Sequence, residues 1–268
     1  MSLLIVGNWK IHDLGHKLVV IRSVARCTRS FVGVNEILIC VPATLISRAV
    51  EASAGIVDIG GENCAAAVDG AFTGDISAEM LKDAGASRVI VGQSERRQNH
   101  QEANTMVAAK APAAVRAGLA AIVCFSESKA DHDAGSALQI WGAQPDARLP
   151  LDWRPLAGSA IAYEPLWAIG TGSLPATDKI VEILRFIRQR LRALLGDDAN
   201  RVRVLYGRSI APDSARAILE LPEAERMLVG GASLKALAHN AIIRAAASIT
   251  AKRLRQAPPT LPEKAGSK

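Results

Sequence analysis

Five short polar clusters interrupt a largely aliphatic chain, and each holds residue types able to act on a small anion. Asn8-Trp9-Lys10 sets an amide and a cation just past an apolar run. A lysine there is costly to desolvate unless it points into a polar cleft; the same tripeptide also reads as a solvated loop. Gln93-Ser94-Glu95-Arg96-Arg97 follows Val89-Ile90-Val91-Gly92. It reads equally as a hydrogen-bonded ion network or as a helix start with its favoured Ser and Glu. Glu164 opens the run Glu164-Pro165-Leu166-Trp167-Ala168-Ile169-Gly170-Thr171-Gly172. A semi-apolar segment framed by Pro and Gly can close as a rigid lid, exclude water and raise the basicity of a carboxylate beneath it. The plainer reading is a surface Glu in an ordinary loop. Tyr206-Gly207-Arg208-Ser209 and Val229-Gly230-Gly231-Ala232-Ser233 place glycines where backbone N–H groups can approach a ligand closely, though each alone is also simple turn chemistry.

These clusters need a scaffold that brings distant strand ends together. Short β-rich runs occur at Leu3–Val6, Glu36–Val41, Val57–Gly60, Arg88–Val91, Leu119–Phe125, Ser159–Tyr163, Arg201–Tyr206 and Met227–Val229. Helical periodicity fills the gaps, near Lys17–Thr28, Thr44–Ala54, Ser77–Asp83, Glu102–Ala117, Ala130–Trp141, Asp178–Leu195, Pro212–Leu219 and Ser233–Ala247. Pro212 suits a first helical turn and Ser233 an N-cap. Strands alternating with helices argue for a parallel sheet, and eight of them are enough to close a (β/α)₈ barrel. A doubly wound sheet would want a Gly-rich turn after the first strand, where Gly-Asn-Trp-Lys stands instead. In a barrel every cluster above falls at a C-terminal strand end, the face that carries chemistry. The loops after strands seven and eight are a frequent phosphate site there.

The chain has 268 residues, close to the roughly 250 usual for one such barrel. Hydrophobic residues make up 49% but aromatics only 4%, so the core is built from Ala, Val, Ile and Leu. The expected organisation is one barrel domain over 1–250 and a basic, Pro-containing tail over 251–268 without fixed structure, which carries Lys252, Arg253, Arg255, Lys264 and Lys268 of the formal +6 charge. Gln144–Gly158 reads as a loop rather than a domain linker. No basic run is interleaved with aromatics, so the charge suits a small anionic substrate rather than nucleic acid. The four cysteines form no CxxC pair and no metal-like spacing. The N-terminus lacks the pattern of a signal peptide, and no apolar run nears the roughly 20 residues that span a membrane. These features point to a cytoplasmic protein with free thiols.

Taken together, Gly7-Asn8-Trp9-Lys10, Ser94-Glu95-Arg96-Arg97, Ala162-Tyr163-Glu164-Pro165 with Trp167 to Gly172, and Leu228-Val229-Gly230-Gly231-Ala232-Ser233-Leu234 resemble triosephosphate isomerase, over about residues 3–248. Gly70-Ala71-Phe72-Thr73-Gly74-Asp75-Ile76-Ser77 is similar to the family's interdigitating dimer loop. The resemblance implies aldose–ketose isomerisation of glyceraldehyde 3-phosphate and dihydroxyacetone phosphate through an enediolate, a step of glycolysis and gluconeogenesis. Glu164 would be the base, since this family is a standard example of a glutamate base working beside a neutral imidazole. Lys10 would bind the substrate anion, Asn8 would hydrogen-bond a substrate oxygen, and Glu95 would complete the catalytic group. Gly170, Ser209, Gly230 and Gly231 would donate N–H groups to the phosphate. Leu166, Trp167, Ala168, Ile169, Gly170, Thr171 and Gly172 would form the lid, and Thr73 would reach the site of a second subunit in a homodimer. No cofactor or metal is implied.

Several positions depart from the family pattern. Gln93 stands where a catalytic histidine is expected, Arg208 where a second glycine is, Ser126 where another glycine is, Glu62 where a glutamine precedes Asn63, and Glu225-Arg226 where Asp-Gly is. A glutamine amide can donate an N–H hydrogen bond but cannot accept and return a proton near neutral pH. The expectation is therefore a slowed isomerase. The alternatives are a paralogous isomerase for another small sugar phosphate, such as a tetrulose phosphate, and a non-catalytic phosphometabolite-binding homologue.

Overall fold

The computed structural model describes residues 3–126, 149, 153–165, 177–208, 210–221 and 226–256, with only the backbone at Arg208. The expected helix at Ala130–Trp141, most of the Gln144–Gly158 loop, the Leu166–Gly172 lid, Ser209 and Glu225 lie outside these residues.

Eight parallel strands close into a barrel in sequence order: β1 (Leu3–Asn8), β2 (Asn35–Cys40), β3 (Asp58–Gly61), β4 (Arg88–Val91), β5 (Ala120–Phe125), β6 (Ala160–Tyr163), β7 (Arg203–Arg208) and β8 (Arg226–Val229). β8 returns to pair with β1, Gly7 opposite Val229. The expected architecture is thus the one found. Around the barrel lie α1 (Leu18–Thr28), α2 (Ile46–Ser53), α3 (Ala78–Asp83), α4 (Ser94–His100), α5 (Asn104–Arg116), α6 (Thr177–Leu195), α7 (Pro212–Glu220) and α8 (Ala236–Gln256).

Period-two alternation divides each strand between two cores. Leu4, Val6, Leu38, Cys40, Ile90, Ile122, Cys124, Ala162, Leu205 and Leu228 fill the barrel interior. Leu3, Ile5, Ile37, Ile39, Val89 and Val91 point outward into the layer shared with the helices. The helices meet that layer with apolar stripes such as Leu18, Ile21, Val24, Ala25 and Thr28 on α1, a spacing of three and four residues. At the N-terminal end the interior becomes ionic. Arg88 donates to Asp58 Oδ2 at 2.6 Å and to Glu36 Oε2 at 2.8 Å, and Arg203 pairs with the same Glu36. These residues sit at the barrel face associated with stability rather than chemistry.

Three local expectations change. The helix expected over Glu102–Ala117 begins at Asn104, as α5, and a separate short helix, α4, precedes it and stops at Gln101, whose φ is +53°. Ser233 is not an N-cap of α8: it lies in a short 3₁₀ turn, Gly231–Leu234, and its hydroxyl donates to Gly230 O at 2.7 Å. The closing helix α8 runs to Gln256, so residues 251–256 are helical rather than tail. Pro212 does open α7, and Ser77 caps α3 by accepting from Met80 N–H at 3.2 Å.

Candidate active site

Three strand ends converge on one buried chain of hydrogen bonds. Asn8 ends β1, Gln93 follows β4 and Glu164 follows β6. Their exposures are 2, 6 and 7%. Asn8 Nδ2 donates to Gln93 Oε1 at 3.0 Å, and Gln93 Nε2 donates to Glu164 Oε1 at 3.4 Å. The Asn8 amide therefore decides which end of Gln93 faces the carboxylate. It takes the carbonyl and leaves the NH₂ group, with its second hydrogen, on the side of Glu164.

Glu164 is anchored through its backbone N–H to Phe125 O at 2.8 Å. Burial pushes its carboxyl up to about 7, and the negative charge of Glu95 adds to this; Lys10, a Ser94 backbone N–H and Arg97 pull the other way. Its Oε2 has no hydrogen-bond partner among the described residues. A buried carboxylate with a free oxygen and a value near neutrality is a competent general base. Gly207 makes room for it. A Cβ at that position would lie 3.1 Å from Glu164 Cγ and 3.3 Å from Leu228 Cβ. The sequence reading gave Gly207 to the ligand; the structure turns it toward the carboxylate.

Lys10 adopts a φ of +56°, a left-handed conformation that a residue with a Cβ rarely takes. Its N–H donates to Asn8 Oδ1 at 3.2 Å, which ties the turn to β1. Its ammonium pairs with Glu95, whose other oxygen accepts from Ser94 Oγ at 3.4 Å. Burial pushes the Glu95 carboxyl up, but the hydrogen bond and charge of Lys10 outweigh it and hold Glu95 below its ordinary value. Both side chains are about two-fifths exposed, 38 and 41%, so solvent weakens the pair and leaves the ammonium free to exchange partners.

Behind this row stands the ion network that one reading of residues 93–97 anticipated. Arg96 Nε donates to Glu102 Oε2 at 2.8 Å, and Lys110 Nζ donates to the same oxygen at 2.6 Å and to Asn63 Oδ1 at 2.9 Å. Arg97 donates to Gly92 O, Glu102 O and Asn104 Oδ1. It thereby holds the turn after β4 that carries Gln93. Glu102 and Lys110 escaped the sequence reading, which treated them as helix residues; a buried acid and base eight apart on a helical pattern are the only signal they leave.

At β8 the Ser233 hydroxyl is shared between Gly230 O and Asn8 O, the latter at 3.4 Å, linking the two strand ends. A Cβ on Gly230 or Gly231 would meet no atom of the described residues within 4 Å, so the backbone there is open on the side they leave. Of the other expected phosphate contacts, Gly170 and Ser209 lie outside the described residues. Thr73 is exposed in the β3–α3 connection. Its neighbours Gly74, Asp75 and Ile76 line a cleft of about 730 Å³ with Lys10, Glu62, Gln93 and Glu95. Glu62 is pushed up to about 8, chiefly by burial, with the Lys10 backbone and charge opposing.

A parallel barrel with a buried base, a nearby lysine and glycine backbone open at β8 defines a barrel enzyme suited to proton transfer on a small anionic substrate. The family model described as "Triosephosphate isomerase" matches residues 3–246, and the chain belongs to that family. It is 48% identical over 243 residues to the triosephosphate isomerase of Afipia carboxidovorans, covering 90% of this chain and 96% of the relative. It is 43% identical over 236 residues to that of Rhodopseudomonas palustris, covering 87 and 93%. The crystal structure of triosephosphate isomerase from Bartonella henselae superposes with a TM-score of 0.83 at 39% identity, over 91% of this chain and 99% of that one.

Proposed function

We propose that this chain interconverts glyceraldehyde 3-phosphate and dihydroxyacetone phosphate by proton transfer through an enediolate, more slowly than a histidine at position 93 would allow. The observation that carries this is the Asn8–Gln93–Glu164 chain ending on a carboxylate near pKa 7, with the Lys10 ammonium beside it. Glu164 removes the carbon-bound proton next to the carbonyl. The electron pair moves into a carbon–carbon double bond, and the carbonyl oxygen becomes the enediolate oxygen. Lys10 leaves Glu95 to stabilise that charge, and Asn8 and the spare Gln93 N–H polarise the oxygens. Glu164 then returns its proton to the neighbouring carbon. The proton that must pass between the two oxygens has no imidazole to carry it, and losing such a group costs roughly 10²–10⁴-fold in rate. Gly230 and Gly231, with Gly170 and Ser209, supply backbone donors to the phosphate, and the 166–172 segment closes over it.

The family membership and the intact base favour triose phosphate over a longer sugar phosphate or a purely binding role. A homodimer accounts for the exposed apolar side chains of the connections after β1 and β3: Ile11 at 99%, Leu14 at 71% and Phe72 at 56%. Thr73 then reaches the partner's cleft. Among the described residues no helix is long and apolar enough to cross a membrane, and we assign the enzyme to the cytoplasm. A coupled assay with glyceraldehyde 3-phosphate should show turnover that disappears in Glu164→Gln. No turnover by the unaltered chain, or turnover of a tetrulose phosphate exceeding that of triose phosphate, would overturn the assignment.

A further inference from the structure

A second basic site lies away from the strand ends. The groove between α1 and α2 has a volume of about 590 Å³, and none of its lining residues borders the cleft at Lys10. Arg22, Arg26 and Arg29 enter it from α1 and the turn that follows; Arg48 enters from α2, and Glu51 is the one carboxylate among its lining residues. Arg22 and Arg26 are four residues apart and Arg29 three further on, so they share one helix face. That helix contains no acidic residue. Among the described residues none of the four guanidiniums has an ion-pair or side-chain hydrogen-bond partner, whereas Arg88, Arg96, Arg97 and Arg116 each have one. Like charges stacked along one face repel, and no carboxylate among the described residues pairs with them. The Arg48 guanidinium lies against the turn at Gly15, where a Cβ would fall 2.0 Å from its nitrogen.

We propose that this groove binds a compact anion carrying two or more phosphate groups, independently of the substrate site. The planar forks of converging arginines match phosphate oxygens in geometry and charge. The volume falls within the range of small-molecule sites. Among the described residues no aromatic lines the groove, so they offer no stacking platform of the kind on which bases are held, and its concave shape between two helices suits a short ligand better than a polymer. Glu51 restricts the ligand further, since it repels an anion that extends to its edge.

The test is calorimetric titration of tripolyphosphate into the full chain, first with the substrate site saturated by phosphoglycolate and then without it. The proposal expects one site that survives phosphoglycolate. Arg26→Gln/Arg48→Gln should weaken it by about tenfold or more, because charge-assisted hydrogen bonds are lost, while isomerase turnover stays unchanged. Arg26→Lys/Arg48→Lys keeps the charge and should retain part of the affinity. Unchanged binding in the Gln variant, or binding abolished by phosphoglycolate, overturns the proposal. So does an oligonucleotide or an anionic vesicle that binds more tightly than tripolyphosphate through the same arginines. The variant comparison does not depend on what the strand-end site turns over.

Discussion

Gln93 does two things that its neighbours make visible. It holds Glu164 through one N–H and is itself held by Asn8, so its amide cannot turn without leaving a buried donor unpaired. The proposed base, Glu164, stands out in the sequence because a carboxylate before a Pro- and Gly-framed segment is unusual. The strained turn at Lys10 and the space-making role of Gly207 were not, since both depend on what lies opposite in the folded barrel. Gly207→Ala should push Glu164 aside and lower kcat by roughly 10–100-fold, the scale of a misplacement near 1 Å, with circular dichroism unchanged. The pH profile offers a second check. As the proposed base Glu164 works ionised, and burial lifts its carboxyl to about 7 in the free chain. kcat/KM should therefore rise with pH through about 7 and flatten above it. A profile flat down to pH 5 would mean that burial does not raise this carboxyl.

Among the helices and strands, turns carry the local costs. α2 ends on Ala54 in a left-handed conformation, φ +51°, followed by Gly55 at +72°. Ala54→Gly removes the Cβ conflict and should raise stability by about 0.5–1 kcal/mol in a denaturant titration; a loss of stability would show that the turn is not strained. Such turns explain which boundaries the sequence yields. The eight strands and Pro212 follow from alternation and local backbone preference, and they stand where expected. The end of α4 does not, because Gln101 is not a residue type that announces a left-handed stop. Of the Arg96–Glu102–Lys110 network only the Arg96 end is legible; its partners Glu102 and Lys110 are not, because they meet it through helices whose packing is decided by β4 and β5.

Across the molecule, buried titratable groups set how stability depends on pH. Glu62 and Glu164 have folded values of about 8 and 7, above their ordinary 4.5. Between about pH 4.5 and 8 the folded chain holds protons that the unfolded chain releases. Their contribution is present at low pH and is lost as pH rises through 7 to 8. His239, fully buried, goes the other way: burial lowers it to about 4, so its contribution is lost as pH falls from 6.5 through 4. Glu62→Gln removes the larger carboxylate cost, since each tenfold displacement of a proton equilibrium is worth about 1.4 kcal/mol before solvent screening. It should raise Tm more at pH 8 than at pH 5. An equal rise at both pH values would show that Glu62 is not held protonated by the fold. Buried electrostatic couplings of this kind are legible in the sequence only as composition, since Glu62, Cys40 and Lys10 meet through β2, β3 and the end of β1.

The proposed mechanism has Glu164 and an anion site working without an imidazole to move the oxygen proton. Steady-state kinetics on glyceraldehyde 3-phosphate, for the unaltered chain and for Gln93→His, decide whether this is so. The unaltered chain should turn over measurably. Gln93→His should show a kcat higher by roughly 10²-fold or more, with KM changed little. Equal or lower kcat in Gln93→His, with the fold intact, would mean that the amide is not what limits the rate.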